Sequence, residues 1–126
     1  MIKFIPCASE KLSCEFSADT SAFGYIGYDL SDGGKKCGEC AFHLNGYSMD
    51  IDFVEALDGD DETLEGLIRS ALNYGANRNA YIARYLPRNG RNVAELLGFE
   101  LKNGVLTGEI PELLAGSCCK HNRQST

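Results

Sequence analysis

The sequence predicts an α+β domain with its elements in the order β-β-β-α-β-α-β-β. Asn45-Gly46 stands between two alternating apolar runs, the strongest short-range sign of a β-hairpin. Leu64, Leu67, Ile68, Ala71 and Leu72 recur at helical spacing as one apolar stripe. With 126 residues, 44% of them apolar and 24% charged, the chain is expected to be a single domain, residues 1–126, that buries one core.

Taken in order, residues 1–21 hold Pro6 and a Ser/Cys-rich stretch and show no helical stripe. Phe23 to Leu30 reads as a strand, and Ser31-Asp32-Gly33-Gly34 turns it into the first strand of the hairpin. A type I′ turn centred on Asn45-Gly46 sets Leu44 against Tyr47, Phe42 against Met49 and Cys40 against Ile51. That register makes one apolar face of Cys40, Phe42, Met49, Ile51 and Phe53, and one polar face of Glu39, His43, Asp50 and Asp52. The polar four could gather a cation, but no loop converges them, so a solvated face is expected. Asp60 or Asp61 caps the long helix, which ends near Gly75 to Asn77. Ala80 to Leu86 follows as a strand and Pro87-Arg88-Asn89-Gly90 as a loop. A short helix capped by Asn92 ends at Gly98. A second hairpin turns at Asn103-Gly104, and a polar tail, 120–126, closes the chain.

Eighteen acidic against twelve basic side chains give a net charge of -6, which argues against binding the phosphate backbone of nucleic acid. Tyr25, Tyr28 and Tyr47 are accordingly read as sheet packing rather than base-stacking platforms. No apolar run reaches the roughly 18 residues that a membrane helix needs, and Met1 to Pro6 is too short for a secretion signal, so a cytoplasmic location is expected. Six cysteines are then expected to be reduced. Cys37 and Cys40, spaced as C-x-x-C, could join Cys118, Cys119 and His121 around a metal. In a regular strand, however, side chains three apart point to opposite faces, so no metal site is expected.

Three strands feeding a helix, then a strand, a short helix ending in Leu97-Gly98-Phe99 and a closing hairpin resemble the GNAT acyltransferase superfamily. The resemblance rests on Ile51-Asp52-Phe53-Val54 leading into Leu64 to Tyr74, and on Leu-Gly-Phe, and it spans about Ala22 to Leu114. It implies a mostly antiparallel sheet with a long central helix and a short second helix on one face. It also implies acyl transfer from acetyl-CoA or another CoA thioester to an amine. In the family, a glycine-rich loop with a basic residue, just before the long helix, holds the CoA pyrophosphate on backbone N–H groups.

The corresponding loop is Leu57-Asp58-Gly59-Asp60-Asp61-Glu62, where Leu57 and Gly59 are the candidate cofactor-binding residues. It has one glycine, no basic residue and four carboxylates, with Glu65 a turn further on. A helix terminus offers an anion about 0.3 to 1 kcal/mol. Each carboxylate roughly 8 Å from a phosphate charge opposes it by about 0.5 kcal/mol even in water. The place of the family's tyrosine proton donor is taken by Ala94, and the two helices that usually cover the acceptor side have only about 21 residues to form in. The expectation is a degenerate GNAT-like domain lacking these N-terminal helices, acting as a binding or assembly module for a protein or small molecule. An alternative is an acyl-CoA-dependent N-acyltransferase with Glu55 as base and Arg88 and Arg91 on the phosphates. A second is a metal or thiol protein built on Cys37, Cys40, Cys118 and Cys119.

Overall fold

The computed structural model describes residues 1–8 and 23–115. The expectations for the N-terminal helices, for Cys14, Cys118, Cys119 and His121 and for the tail from 120 lie outside the described residues.

The strands are β1 (Ile2–Ala8), β2 (Phe23–Asp29), β3 (Lys35–Asn45), β4 (Ser48–Ala56), β5 (Ile82–Tyr85), β6 (Glu100–Lys102) and β7 (Val105–Glu109). The helices are α1 (Asp61–Ala76) and α2 (Arg91–Leu97), with further helical residues at 110–115. All seven strands form one sheet in the order β1-β2-β3-β4-β5-β7-β6. Among the described strands only β4 and β5 run parallel, and α1 is the connection between them, as a parallel pair requires. The architecture is thus the α+β class that the sequence predicts.

The core lies between the sheet and α1. Leu67, Ile68 and Leu72 of the helical stripe are fully buried against Phe42, Met49 and Ile51. Val93 and Leu97 of α2 and Ile110 and Leu113 beyond β7 extend the same cluster. The Asp60 carboxylate caps α1 by accepting from Glu62 N–H at 2.9 Å, as expected. The cap of α2 differs, because Gly90 at φ +72° takes that place and Asn92 lies inside the helix. At Asn103-Gly104 both residues have positive φ, +52° and +82°, the requirement of a type I′ turn.

Four features depart from the sequence reading. First, Ile2–Ala8 is an edge strand on β2, and Pro6 is tolerated because an edge strand needs no ladder donor on its outer side. Second, the central hairpin pairs Asn45 with Ser48, Leu44 with Met49 and Phe42 with Ile51, each two residues from its expected partner because the turn is displaced by one residue, so the faces are kept. The turn residues are Gly46, at φ +63°, and Tyr47, the pattern of a type II′ turn with glycine first. Third, Phe42 opposes Ile51 while Ala41 opposes Phe53, so Asp52 is an extra residue that bulges from β4. Past the bulge the faces exchange. Val54 joins the helix-side core, and Phe53 packs with Ile26 and Ala41 on the other face. Fourth, Cys37 is the extra residue of a bulge in β3, because Gly27 opposes Gly38 and Tyr28 opposes Lys36.

Candidate functional site

The loop between β4 and α1 is the place where the family resemblance sets the cofactor phosphates, and its own atoms use its backbone donors. Leu57 N–H donates to Cys37 O at 2.7 Å, and Gly59 N–H to Ala56 O at 3.1 Å. Asp60 N–H donates to Asp58 Oδ1 at 3.0 Å, while the other oxygen, Oδ2, accepts from the buried Thr63 hydroxyl at 2.9 Å. Thr63 and Leu64 N–H both reach Asp60 O. Carboxylates of the chain therefore stand where an external anion would meet the helix N-terminus. Asp61, Glu62 and Glu65 are exposed around them. This loop does not fit a pyrophosphate: the N–H groups of Leu57, Gly59, Asp60, Glu62, Thr63 and Leu64 are engaged within the chain, and the surrounding charge has the wrong sign.

The other candidate residues stand apart. Glu55 is exposed on the face of the sheet opposite α1, with Glu39 as its neighbour on β3. Arg88 and Arg91 are exposed in and just after the β5–α2 loop. A Cβ added at Gly90 would lie 3.5 Å from a Leu64 methyl, so this loop flanks the first turn of α1. Among the described residues no ion pair or hydrogen bond joins Glu55, Arg88 and Arg91 to one another or to the acidic loop.

The parallel β4–β5 pairing ends at Ile51 and Tyr85, followed by one bond from Leu86 N–H to Ile51 O at 3.0 Å. Beyond it Asn89 reaches across, its Nδ2 donating to Val54 O at 2.6 Å. The Tyr85 hydroxyl holds the same loop by donating to Asn89 O at 2.7 Å. Burial pushes the Tyr85 phenol well above its ordinary range, so it is a fixed donor.

On the far face, the expected solvated carboxylates are a correction. Glu39 is 2% exposed and 3.2 Å from Lys36 Nζ, and Asp50 is 8% exposed. Arg84 holds Asp50 through two bonds of 2.7 Å. The same partner, by hydrogen bond and charge, raises the Arg84 guanidinium pKa above its ordinary value. His43 Nδ1 lies 2.7 Å from Asp52 Oδ2, and its Nε2 lies 3.5 Å from Asp50 Oδ2. Strand alternation placed His43, Asp50 and Asp52 together. Arg84 joins them only through the parallel register that sets it beside Asp50.

The expected opposition of Cys37 and Cys40 is also corrected. The bulge turns Cys37 to the side of α1, near the Thr63 hydroxyl, and the Cys40 thiol faces Leu67 O at 3.8 Å on that same side. Burial, then the Asp58 and Asp29 carboxylates, push the Cys37 thiol above its ordinary range, which disfavours the thiolate. Cys37 and Cys40 are expected to resist maleimide in the native chain and to label on unfolding. Native labelling at the rate of a small thiol would refute the packing. Among the described residues no group of His, Cys, Asp and Glu side chains could hold a metal ion, and no helix is long and apolar enough to cross a membrane.

No protein-family model matches the chain, and no curated protein matches its sequence. Solved structures do match it in fold. An N-acetyltransferase from Staphylococcus aureus Mu50 is 11% identical over 88% of this chain and 99% of its own, with a TM-score of 0.66. A putative acetyltransferase of the GNAT family from Desulfovibrio desulfuricans gives 0.67 at 8% identity, over 87% of this chain and 99% of its own. A spermidine/spermine N-acetyltransferase from Vibrio cholerae gives 0.65 at 11% identity, over 93% and 99%. The meander, the crossover helix between parallel β4 and β5 and the closing hairpin are, on this likeness, the fold of the GNAT N-acetyltransferases.

Proposed function

We propose that this chain is a GNAT-fold binding or assembly module that carries out no acyl transfer of its own, with a protein or a small molecule as its partner. The observation that carries the reading is the loop before α1, where the Asp58 and Asp60 carboxylates occupy the Asp60 and Glu62 N–H groups and Asp61 and Glu62 repel an approaching phosphate. Ala94, where the family places a tyrosine proton donor, supports it from the side of catalysis.

The test is calorimetric titration of the purified chain with CoA and with acetyl-CoA, beside a thermal shift. Neither ligand is expected to bind at micromolar concentration or to raise the melting temperature. Replacing Asp58, Asp60 and Asp61 by Asn keeps an oxygen acceptor at each cap and removes three charges. It is expected to improve CoA affinity about tenfold, from roughly 0.5 kcal/mol per charge, with a gain that shrinks as salt screens the field. Micromolar binding by the unmodified chain, weakened by Arg88→Ala and Arg91→Ala but indifferent to the loop carboxylates, would overturn the proposal. That result would favour a working acyltransferase with its phosphates on the later loop and Glu55 as candidate base.

A further inference from the structure

The chain contains three Asn-Gly pairs, at 45–46, 89–90 and 103–104. Such a pair can close on itself. The glycine nitrogen attacks the side-chain carbonyl carbon, a C–N bond forms, the Cγ–Nδ2 bond breaks, and ammonia leaves carrying the proton given up by the backbone nitrogen. Water then opens the five-membered imide to aspartate or to isoaspartate. The reaction needs a carboxamide that is free to turn and a backbone N–H that gives up its proton readily.

The three sites meet these conditions differently. At Asn89 the carbonyl is polarised by the Tyr85 hydroxyl, but Nδ2 is tied to Val54 O at 2.6 Å, so the carboxamide cannot turn. Space is short there too, since a Cβ at Gly90 would lie 2.6 Å from the Tyr85 oxygen. Asn103 is exposed at a type I′ turn, with open space around Gly104, but no side chain donates to its carbonyl among the described residues. Asn45 has both conditions. It is exposed, its carboxamide holds no bond among the described residues, and nothing lies within 4 Å of a Cβ built at Gly46. The Ser48 hydroxyl donates to Asn45 O at 2.9 Å. That bond draws electron density out of the Asn45–Gly46 peptide and makes the Gly46 N–H more acidic.

We propose that Asn45 is a self-modification site of the folded chain, with Ser48 as the positioning residue that activates the Gly46 nitrogen for conversion of Asn45 to aspartate or isoaspartate. The product is one unit more negative than the formal -6 of the chain. The isoaspartate form also lengthens the backbone at the turn, just before Tyr47, whose carbonyl accepts Tyr81 N–H at 2.6 Å and Ile82 N–H at 3.1 Å. The modification therefore acts on the anchor that starts β5.

The experiment is site-resolved peptide mapping by mass spectrometry of the intact purified chain, aged at mildly alkaline pH. Residue 45 is expected to convert several-fold faster than residue 103, while residue 89 stays intact. Ser48→Ala should bring residue 45 down to the rate of residue 103 without altering the latter, and Ser48→Thr should restore it. In denaturant all three sites should converge, because only the fold distinguishes them. Equal rates at 45 and 103 in the native chain overturn the proposal. So does a Ser48→Ala chain with an unchanged melting curve and an unchanged rate at 45.

Discussion

A Leu67→Asp chain is expected to lose its cooperative melting transition altogether. Leu67 is fully buried in α1, one of its methyls lies beside Gly38 of β3, and its carbonyl faces the Cys40 thiol. An aspartate there is set inside the buried cluster between helix and sheet. An unpaired buried carboxylate costs several kcal/mol on top of the lost leucine contacts. That sum is comparable to the whole stability of a domain, typically about 5–15 kcal/mol. Circular dichroism on heating is the measurement, with Leu101→Asp as the control, since Leu101 is 61% exposed on β6 and should melt as the parent does. A native transition in the Leu67→Asp chain would mean that α1 is not packed on the sheet as described.

The next largest effect is expected at Gly66. A Cβ built there lies 2.2 Å from Phe4 Cζ and 2.5 Å from Cε2, closer than any side chain tolerates, so the glycine is the groove that seats the ring of β1 on α1. In a free helix, replacing glycine by alanine would gain about 1 kcal/mol. Gly66→Val instead drives the Phe4 ring out of its seat, with an overpacking cost of about 1–3 kcal/mol. Because β1 lies at the edge of the sheet and pairs, among the described strands, with β2 alone, the loss should be local. Amide exchange protection is expected to fall at Ile2–Ala8 and to persist in β3 and β4. Adding Phe4→Ala should make the two changes non-additive, because the clash is then gone. Unchanged protection of β1 in Gly66→Val would contradict the contact.

The strands from β2 onward, α1 and the closing hairpin were legible in the sequence because each is announced by near neighbours. The stripe Leu64 to Leu72 announces a helix, and Asn103-Gly104 a turn that admits positive φ at both residues. Strand β1 was not legible, since Pro6 interrupts its pattern and its partner β2 lies beyond a 14-residue interval, 9–22. The acidic loop was legible as charge, and its poor match to a phosphate followed from that. The use of Asp58 to bond both Asp60 N–H and the Thr63 hydroxyl emerged only from the folded loop.

By itself, then, the sequence determined the class of fold, the stripe that becomes the core and the sign of the charge before α1, because periodicity and composition act over a few residues. Only the tertiary structure decided the register. Asn-Gly at a hairpin fits either of two turns one residue apart, and the choice falls to what each buries and bonds across the whole sheet. Here Gly46-Tyr47 turns the chain, and the Tyr47 carbonyl meets the amides of Tyr81 and Ile82 on the far side of α1. The extra residues Cys37 and Asp52 then exchange the faces, seating Val54 rather than Phe53 against the helix and both Cys37 and Cys40 on one side. A bulge leaves no mark on local alternation, because its stabilisation comes from strands and helices distant in the chain.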